Sequence, residues 1–522
     1  MHRGLGIPEI LSNICELIPN DTERDLHCLD SGTNHTLAAL ARTCRAFQNP
    51  ALDVLWNSQF TILNVIRCMP EDIWEWTDEE LDEDDEDEEV SPIALKRPVF
   101  PEDWERPLYY ARRVRHFALG DEHVPSACYD ILRVSLPAEH LFPKIETLQL
   151  YTTQSHVFPN YPLFLGPRLT TLHLGVCQSV VHLTMLLDLA TQCPRLQEVT
   201  IRCSELEPSP QLQAFSFVAI HLKELRSLNV PCLDGPSLDH LSGLASLEFM
   251  ALVRQPVFDI PSVPARIQAE DCHVHGEMMM NISLSDTRAV SEVLSRFQAR
   301  SVRMLIIELP RDTRAAVFLE CCSVVVAQCR GHPPSSLTIR CETFPKIMHT
   351  ADQIAVYKVP VALLSPLFIF ENLTSVYLAA PVGFDLDDDS VASLARAWPR
   401  IHYLSLVSSM SKNVPSRATL LALLSFAKHC PFLSSLTLSL DAKVVPTIAS
   451  GPDTPRPQQR ALSSLVVCDS PIDSPLAVAV FLSSLFPRLR NVSSRGGLVD
   501  LAAQWKAVDK ALPLVGVSRT EE

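Results

Sequence analysis

Leucines and their aliphatic substitutes recur along most of this chain in a compound rhythm, clearest in Thr184–Ile201, TMLLDLATQCPRLQEVTI. Leu183, Leu186, Leu187 and Ala190 stand at i, i+3, i+4 and i+7, which predicts one apolar stripe on a helix. Pro194 has no N–H and biases Cys193 away from helical angles, so the helix must stop there. Beyond it, Leu196, Val199 and Ile201 fit L-x-x-L-x-L. Val199 and Ile201 are two apart and point to the same side of a strand. Helix, proline stop and short strand make one α/β unit that cannot bury its own apolar faces.

The unit recurs in Ile145-Leu148-Leu150, Leu169-Leu172-Leu174, Leu196-Val199-Ile201, Leu225-Leu228-Val230 and Leu244-Leu247-Phe249. Val302-Leu305-Ile307 and Leu337-Ile339 continue it. Leu373-Val376-Leu378, Ile401-Leu404-Leu406, Leu433-Leu436-Leu438, Leu462-Leu465-Val467 and a degraded Leu489-Val492 complete it. Central residues advance by 24, 27 and 29 from Leu148 to Leu228, and by 28, 32, 29 and 27 from Val376 to Val492. Such periods predict a solenoid whose stacked neighbours bury a common core. The fold expected over residues 111–499 is therefore α/β, with the L-x-x-L-x-L strands in a parallel sheet and the helices outside it. These residues resemble the leucine-rich-repeat family in its helix-bearing, ribonuclease-inhibitor-like form, from roughly Phe142 to Ser494. Only Cys177 fills the Asn/Cys place after the motif, so the family's side-chain ladder is mostly missing and irregular copies are expected.

Residues 1–62 carry a different pattern. Pro8 stands where a helix tolerates proline, in the first turn, and Ile10, Leu11, Ile14 and Leu17 give that helix an apolar face. A second helix is expected at about Asn34–Ala46, with Leu37, Leu40, Ala41 and Cys44 in register. Pro50 is expected to begin a third, carrying Ala51, Leu52, Leu55 and Trp56. A three-helix set this small is marginal alone. Ile7-Pro8-Glu9-Ile10-Leu11, the run Leu40 to Phe47 with its Cys44-Arg45, and Leu55-Trp56 together resemble an F-box, although the connection Pro19–Thr33 is longer than usual. Fungal F-box proteins with C-terminal leucine-rich repeats look similar to this chain in both halves.

The rest of the chain is linker, insertion and tail. Residues 63–110 read as a linker containing the acidic run 71–90, whose like charges repel and cannot bury apolar surface. Arg112-Arg113-Val114-Arg115-His116 reads as an exposed basic edge of the first repeat strand. Residues 255–281 hold Pro256, Pro261 and Pro264 and read as an irregular insertion. Residues 445–460, rich in proline, read as a disordered loop, and 500–522 as a C-terminal cap and tail.

Charge and chemistry narrow the function. The chain's 522 residues carry a formal charge of −17, but 14 of the Asp and Glu fall in Glu71–Glu89, leaving the remainder at only −3. A nearly neutral body has no field for nucleic acid or an anionic membrane, so neither is expected as a partner. No secretory leader and no membrane-length apolar run is read, so a cytoplasmic or nuclear chain with reduced thiols and no disulfides is expected. Glycine is scarce, at 15 residues, which argues against glycine-rich phosphate-binding folds. No nucleotide-binding, zinc-protease, serine-hydrolase or paired-cysteine motif occurs. Cys272-His273-Val274-His275 has no second cluster beside it. No catalytic residue, metal or cofactor is expected.

Two functions follow. The F-box resemblance implies docking on a Skp1-type adaptor, and through it on a cullin-RING ubiquitin ligase, by Ile7, Pro8, Glu9, Ile10, Leu11, Ile14, Leu40, Cys44, Leu52, Leu55 and Trp56. The repeats would then select a target protein. The alternative is a non-enzymatic repeat scaffold whose N-terminal helices only cap the solenoid. Exposure of Ile7, Pro8, Ile10, Leu11 and Leu52 separates the two. The strand residues alternating with the leucines face the concave side. Among them Tyr151, His173, Thr200, Arg202, Asn229, Tyr377, Tyr403 and Thr437 are the candidate target-binding residues, with the three tyrosines as anchors.

Overall fold

Each proline stop leaves its signature on the residue before it. Cys193, Trp398, Cys430 and Phe486 end their helices with φ between −119° and −129° and ψ between 67° and 80°. Their N–H groups still donate to the carbonyls of Leu189, Leu394, Phe426 and Leu482, four residues back. The following proline can extend neither the helix nor its bonding, and the chain turns into a strand. In a computed structural model this turn recurs throughout residues 8–18, 31–76, 93–119, 124, 126–150, 158–177, 180–203, 208–255, 278–284, 287–298, 300–310, 313–341, 351–408, 416–447, 457–495 and 499–517, the residues described.

The chain forms two units, Met1–Pro231 and Cys232–Glu522. In the first, six strands of the repeat sheet follow one another in space: β1 (Ser58–Gln59), β2 (His116–Leu119), β3 (Thr147–Leu150), β4 (Thr171–Cys177), β5 (Glu198–Cys203) and β6 (Ser227–Val230). Every neighbouring pair is parallel, and Leu148 stands opposite Leu172, Leu172 opposite Val199, and Val199 opposite Leu228. Equivalent motif residues are thus stacked, and all four are at most 1 % exposed. The second unit has nine in its repeat sheet: β7 (Phe249–Gln255), β8 (Met278–Leu284), β9 (Val302–Leu309), β10 (Ser336–Cys341), β11 (Ser375–Ala380), β12 (Tyr403–Ser408), β13 (Ser435–Leu438), β14 (Ser464–Cys468) and β15 (Asn491–Arg495). All of these pair in parallel with their sequence neighbours. Each unit is a leucine-rich-repeat array of α/β type, with a buried row of aliphatic residues between sheet and helices.

Several elements depart from the sequence reading. Residues 63–110 are not a plain linker. They hold the helix Leu63–Ile66, the antiparallel pair Trp74–Trp76 and Ile93–Leu95, and the helix Glu105–Ala111. Ile62, Val65, Ile66, Ile73 and Trp104 are fully buried there, so the stretch from β1 to β2 is itself the first repeat. Its acidic part from 77 to 90 lies outside the described residues, as does most of the proposed insertion. The insertion's end, however, is β8, paired with both β7 and β9 and burying Met278, Met280 and Ile282. Methionines in the place of leucines hid this copy. Arg113, assigned to an exposed edge, is buried. Around Leu183–Ala190 the helix tightens to a 3-10 turn over Leu186–Asp188, and the buried residues are Leu183, Leu186 and Leu189, a spacing of three.

A hydrogen-bond ladder replaces the missing Asn/Cys one. The hydroxyls of Thr170, Ser335, Thr374, Ser434 and Ser463, just before their strands, donate to the carbonyls of Glu146, Arg303, Ser335, His402 and Ser434, one repeat earlier, at 2.9–3.1 Å. Two larger side chains close turns elsewhere. Gln459, 3 % exposed, donates to the carbonyls of Cys430, Pro431 and Leu433 and accepts from the N–H groups of Ala461 and Leu462. Arg300, 2 % exposed, donates to the carbonyls of Leu241, Leu244 and Leu247. Gln459→Leu takes the side-chain donor from the buried Leu433 carbonyl and the acceptor from the buried Leu462 N–H, and should cost roughly 3 kcal/mol or more in urea unfolding. Ser463→Ala, which loses one exposed bond, should cost about 0.5–1 kcal/mol.

Candidate docking surfaces

The first surface is built by three helices, α1 (Pro8–Glu16), α2 (Ser31–Thr43) and α3 (Arg45–Leu55). Cys15, Leu37 and Ala51 are fully buried at their centre, with Ile18, Leu40, Ala41, Phe47, Val54 and Leu55 packed around them. The third helix begins at Arg45 rather than at Pro50. Pro50 lies inside it, where its missing N–H leaves the carbonyl four residues back without a helical donor.

Helix α1 has two apolar sides, and they part company. Leu11, at 2 % exposure, and Cys15 face inward, while Ile10, Ile14 and Leu17 are 40 %, 37 % and 76 % exposed. Positions 10, 14 and 17 are spaced i, i+4, i+7 and form one stripe turned to solvent. Pro8 and Glu9 are exposed beside it. Ile7 lies outside the described residues. Leu11 and Leu52 are core residues and cannot meet a partner, which corrects the expectation that the whole motif forms one contact surface. Leu40, Cys44, Leu55 and Trp56 are half-buried. Of these, Leu40 and Leu55 pack on the module's own core, and Trp56 stacks on Tyr110 with ring centroids 4.8 Å apart.

That stacking belongs to a firm attachment. The carbonyl of Asn57 accepts from the N–H groups of both Arg115 and His116 at 2.9 Å, and β1 pairs with β2 immediately afterwards. Arg113 makes an ion pair with Asp53 of α3 and donates to the Asn49 side chain at 2.8 Å. Its guanidinium also lies 4.9 Å from the centre of the Tyr109 ring. The helices therefore close the end of the first sheet while keeping the α1 stripe outside.

The second surface is the open face of the sheets. In the first unit, Gln149, His173, Thr200 and Asn229 stand opposite one another in a single row. His173, Thr200 and Asn229 are half-buried, Gln149 is buried and Arg202 is exposed. Burial lowers the pKa of His173, with Glu198 opposing and Arg202 adding to that shift, so the neutral imidazole is favoured between two opposite charges. Tyr151 lies outside the described residues.

In the second unit, Tyr377 and Tyr403 are half-buried on this face. Tyr377 packs against a small cluster of Ala379, Val407 and Cys468, each at most 4 % exposed. Thr437 is buried too, at 5 %, and Ser405 at 1 %. Small side chains lie low between taller neighbours, so Thr437 is part of the floor rather than a protruding contact. Sequence reading missed the other end of the face. Phe249, Met279 and Met304 stand in one row and Ala251, Asn281, Ile306, Thr338 and Tyr377 in the next. Met279 is 44 % exposed and Val253 51 %. Alternation within residues 278–283 was the available signal, since Met278, Met280 and Ile282 are the buried ones.

Among the described residues no cluster of three metal-capable side chains occurs. Cys272-His273-Val274-His275 lies outside them. Twelve cysteines, from Cys15 to Cys468, are free thiols, and burial pushes Cys193 up to about 11 and Cys322 and Cys430 up to about 12. No described helix is long and apolar enough to cross a membrane.

Fold and surfaces together define a leucine-rich-repeat protein with a helical module at its N-terminal end. No family model matches the chain, and no curated protein does. Among solved structures, an internalin from Listeria monocytogenes is similar, with a TM-score of 0.36 and 14 % identity over 74 % of this chain and 88 % of that one. At that level the class rests on the strand register and not on the likeness.

The two sides of α1 should separate in stability measurements. Leu11→Asp places a charge in the module core and should lower its unfolding free energy by about 3 kcal/mol or more. Ile14→Asp should cost less than about 1 kcal/mol. Equal losses in urea titrations would contradict the assignment of the stripe.

Proposed function

We propose that the chain is the substrate-recognition subunit of a Skp1–cullin–F-box type ubiquitin ligase. The N-terminal helices dock on the adaptor, and the repeats hold the protein to be ubiquitinated. The observation that carries this reading is the exposed stripe of Ile10, Ile14 and Leu17 on a helix whose opposite side is already fully packed. Three large apolar side chains kept in water on one helix face suit a helix-mediated protein contact. The motif residues Pro8, Glu9, Cys44 and Trp56 surround or support that helix set. In this role the chain contributes proximity and no catalytic group, and it works in the cytoplasm or nucleus, where its thiols stay reduced.

A scaffold reading has its own support. Strand β1, the Asn57 carbonyl and the Arg113–Asp53 pair make the helices a cap on the first sheet, as solenoids require. Capping uses the inner surfaces and leaves the α1 stripe unexplained, so the two readings part at that stripe.

Co-expression with a Skp1-type adaptor tests the docking. The wild-type chain should retain the adaptor through purification, and Ile10→Asp/Ile14→Asp should lose it with an unchanged circular dichroism spectrum, because an unpaired charge resists desolvation in an apolar contact. Retention by the double variant, or no retention by the wild type, would leave only the scaffold.

For the repeats, Tyr377 and Tyr403 are the anchor candidates. Against a captured target, Tyr377→Ala should cost about 2 kcal/mol of binding, since its ring stands on a floor of small residues and loses a large contact area. If neither tyrosine costs more than about 1 kcal/mol, the target does not sit on this part of the face.

A further inference from the structure

At the N-terminal ends of β12 to β15 the second unit gathers cations without carboxylates. Arg400 precedes Ile401, Arg460 lies two residues before Leu462, and Arg488 and Arg490 flank Leu489. Arg396 and Lys428 sit at the ends of the preceding helices, and all six are exposed. Backbone bonds set their spacing. The N–H of Ser434 donates to the carbonyl of His402 at 2.8 Å, that of Ser463 to Ser434 at 2.9 Å, and that of Arg490 to Ser463 at 3.0 Å. In this register Arg400, Phe432, Ala461 and Arg488 are equivalent and follow one another in steps of about 4.8 Å, with Arg460 one place before and Arg490 two places after that row. The grip of Gln459 on the Cys430 and Leu433 carbonyls fixes Arg460 beside the Pro431-Phe432 turn. The charges of Lys428 and Arg396 both reach His429, whose pKa burial first lowers.

Among the described residues, none of Arg400, Lys428, Arg460, Arg488 and Arg490 makes an ion pair. The turns 399–403, 430–435, 459–464 and 486–491 themselves hold no Asp or Glu; Glu371 stands at the matching turn one repeat earlier, and Asp509 accepts the N–H of Val492. In the middle of the row Phe432 is 53 % exposed and stacks on His402 with centroids 5.6 Å apart. Matching positions in the first unit differ. There Lys144, Arg168, Arg195 and Arg226 alternate with Glu146 and Glu224, and Glu146 already pairs with Arg115.

We propose that this edge binds an acidic peptide segment of a partner protein, its carboxylates spread along the arginine row and one apolar side chain seated on Phe432. Screening confines each cation's pull to about 8–10 Å, so a short acidic segment meets the local row. A single-stranded nucleic acid stacks successive bases on aromatic side chains, and this row carries one exposed aromatic, Phe432. The proposal is independent of adaptor docking and stands or falls without it.

Fluorescence anisotropy on the full chain tests it, with a fluorescein-labelled peptide in which Glu and Asp residues flank one leucine. Arg400→Glu/Arg488→Glu/Arg490→Glu should weaken binding about tenfold or more and flatten its salt dependence. Lys144→Glu/Arg168→Glu/Arg195→Glu, the same charge change in the first unit, should change it less than about twofold. Phe432→Ala should weaken binding several-fold and leave the salt dependence intact. Circular dichroism and melting curves certify the fold of each variant. Equal losses in both triple variants, no binding by the wild type at physiological salt, or preference for a single-stranded oligonucleotide or anionic vesicles over the peptide would each overturn the proposal.

Discussion

Stacking depends on one requirement, that the turn between each helix and the next strand has its backbone carbonyls satisfied. These turns are buried on one side by the leucine row and on the other by the neighbouring repeat, so water cannot serve them all. An orphaned carbonyl there costs as much as several good packing contacts gain. The chain meets the requirement three ways. Lateral N–H groups reach across from the next repeat, Ser and Thr hydroxyls add a second bond to some of the same carbonyls, and Gln459 or Arg300 enters where a turn is wider. Arg300 shows how far this goes. A guanidinium is taken out of water with no carboxylate paired to it among the described residues, held by three backbone carbonyls near a helix end, and burial lowers its pKa. Its charge is tolerated because carbonyls at a helix C-terminus carry partial negative charge.

How much of this was legible follows from which forces leave a pattern. Burial of aliphatic side chains does, and so the strands around Leu148, Leu172, Val199, Leu228, Val376, Leu404, Leu436 and Leu465 were readable from spacing alone. Proline stops were readable because their effect is local. The copy at Met278–Leu284 was not, since methionine scores as a generic core residue and the proline-rich stretch before it masked the period. Gln459 was missed because a buried glutamine is defined by its hydrogen bonds, and those partners, at Cys430 to Leu433, are distant in sequence. The hydroxyl ladder did have a signal, Thr170, Thr374, Ser434 and Ser463 each following the first leucine of its motif. It went unread because the family's usual ladder residue was sought at another place.

The N-terminal helices show how a motif can serve two ends at once. A pattern of apolar residues says that a helix has something to bury and does not say which side is buried by the chain itself. On α1 both sides are apolar, so Ile10 and Leu11, adjacent in sequence, have opposite fates. The inner side is fixed by α2 and α3, and α3 is fixed in turn by Asn57, Arg113 and Tyr110 against the first repeat. This order matters for function. A docking helix on a loose module would spend part of its binding free energy on ordering, whereas one held by a sheet edge is ordered beforehand.

The open face of the second unit carries the same logic to a larger surface. Strand alternation dictates which residues lie on it, but their heights decide what a partner meets. Ala379, Val407 and Cys468 are short and bury one another, and Ser405 and Thr437 sink among them. The Tyr377 ring then stands above a closed, largely apolar floor, while towards β7 the face rises again with Met279 and Val253. Such relief is a consequence of irregularity. A repeat array with identical side chains at each position would present uniform rows, and a uniform row offers a partner no unique register. Loss of the strict consensus costs the array its Asn/Cys ladder, which hydroxyls and one glutamine replace. In exchange it leaves one aromatic projection, one apolar end and one cationic edge, each confined to its own few repeats.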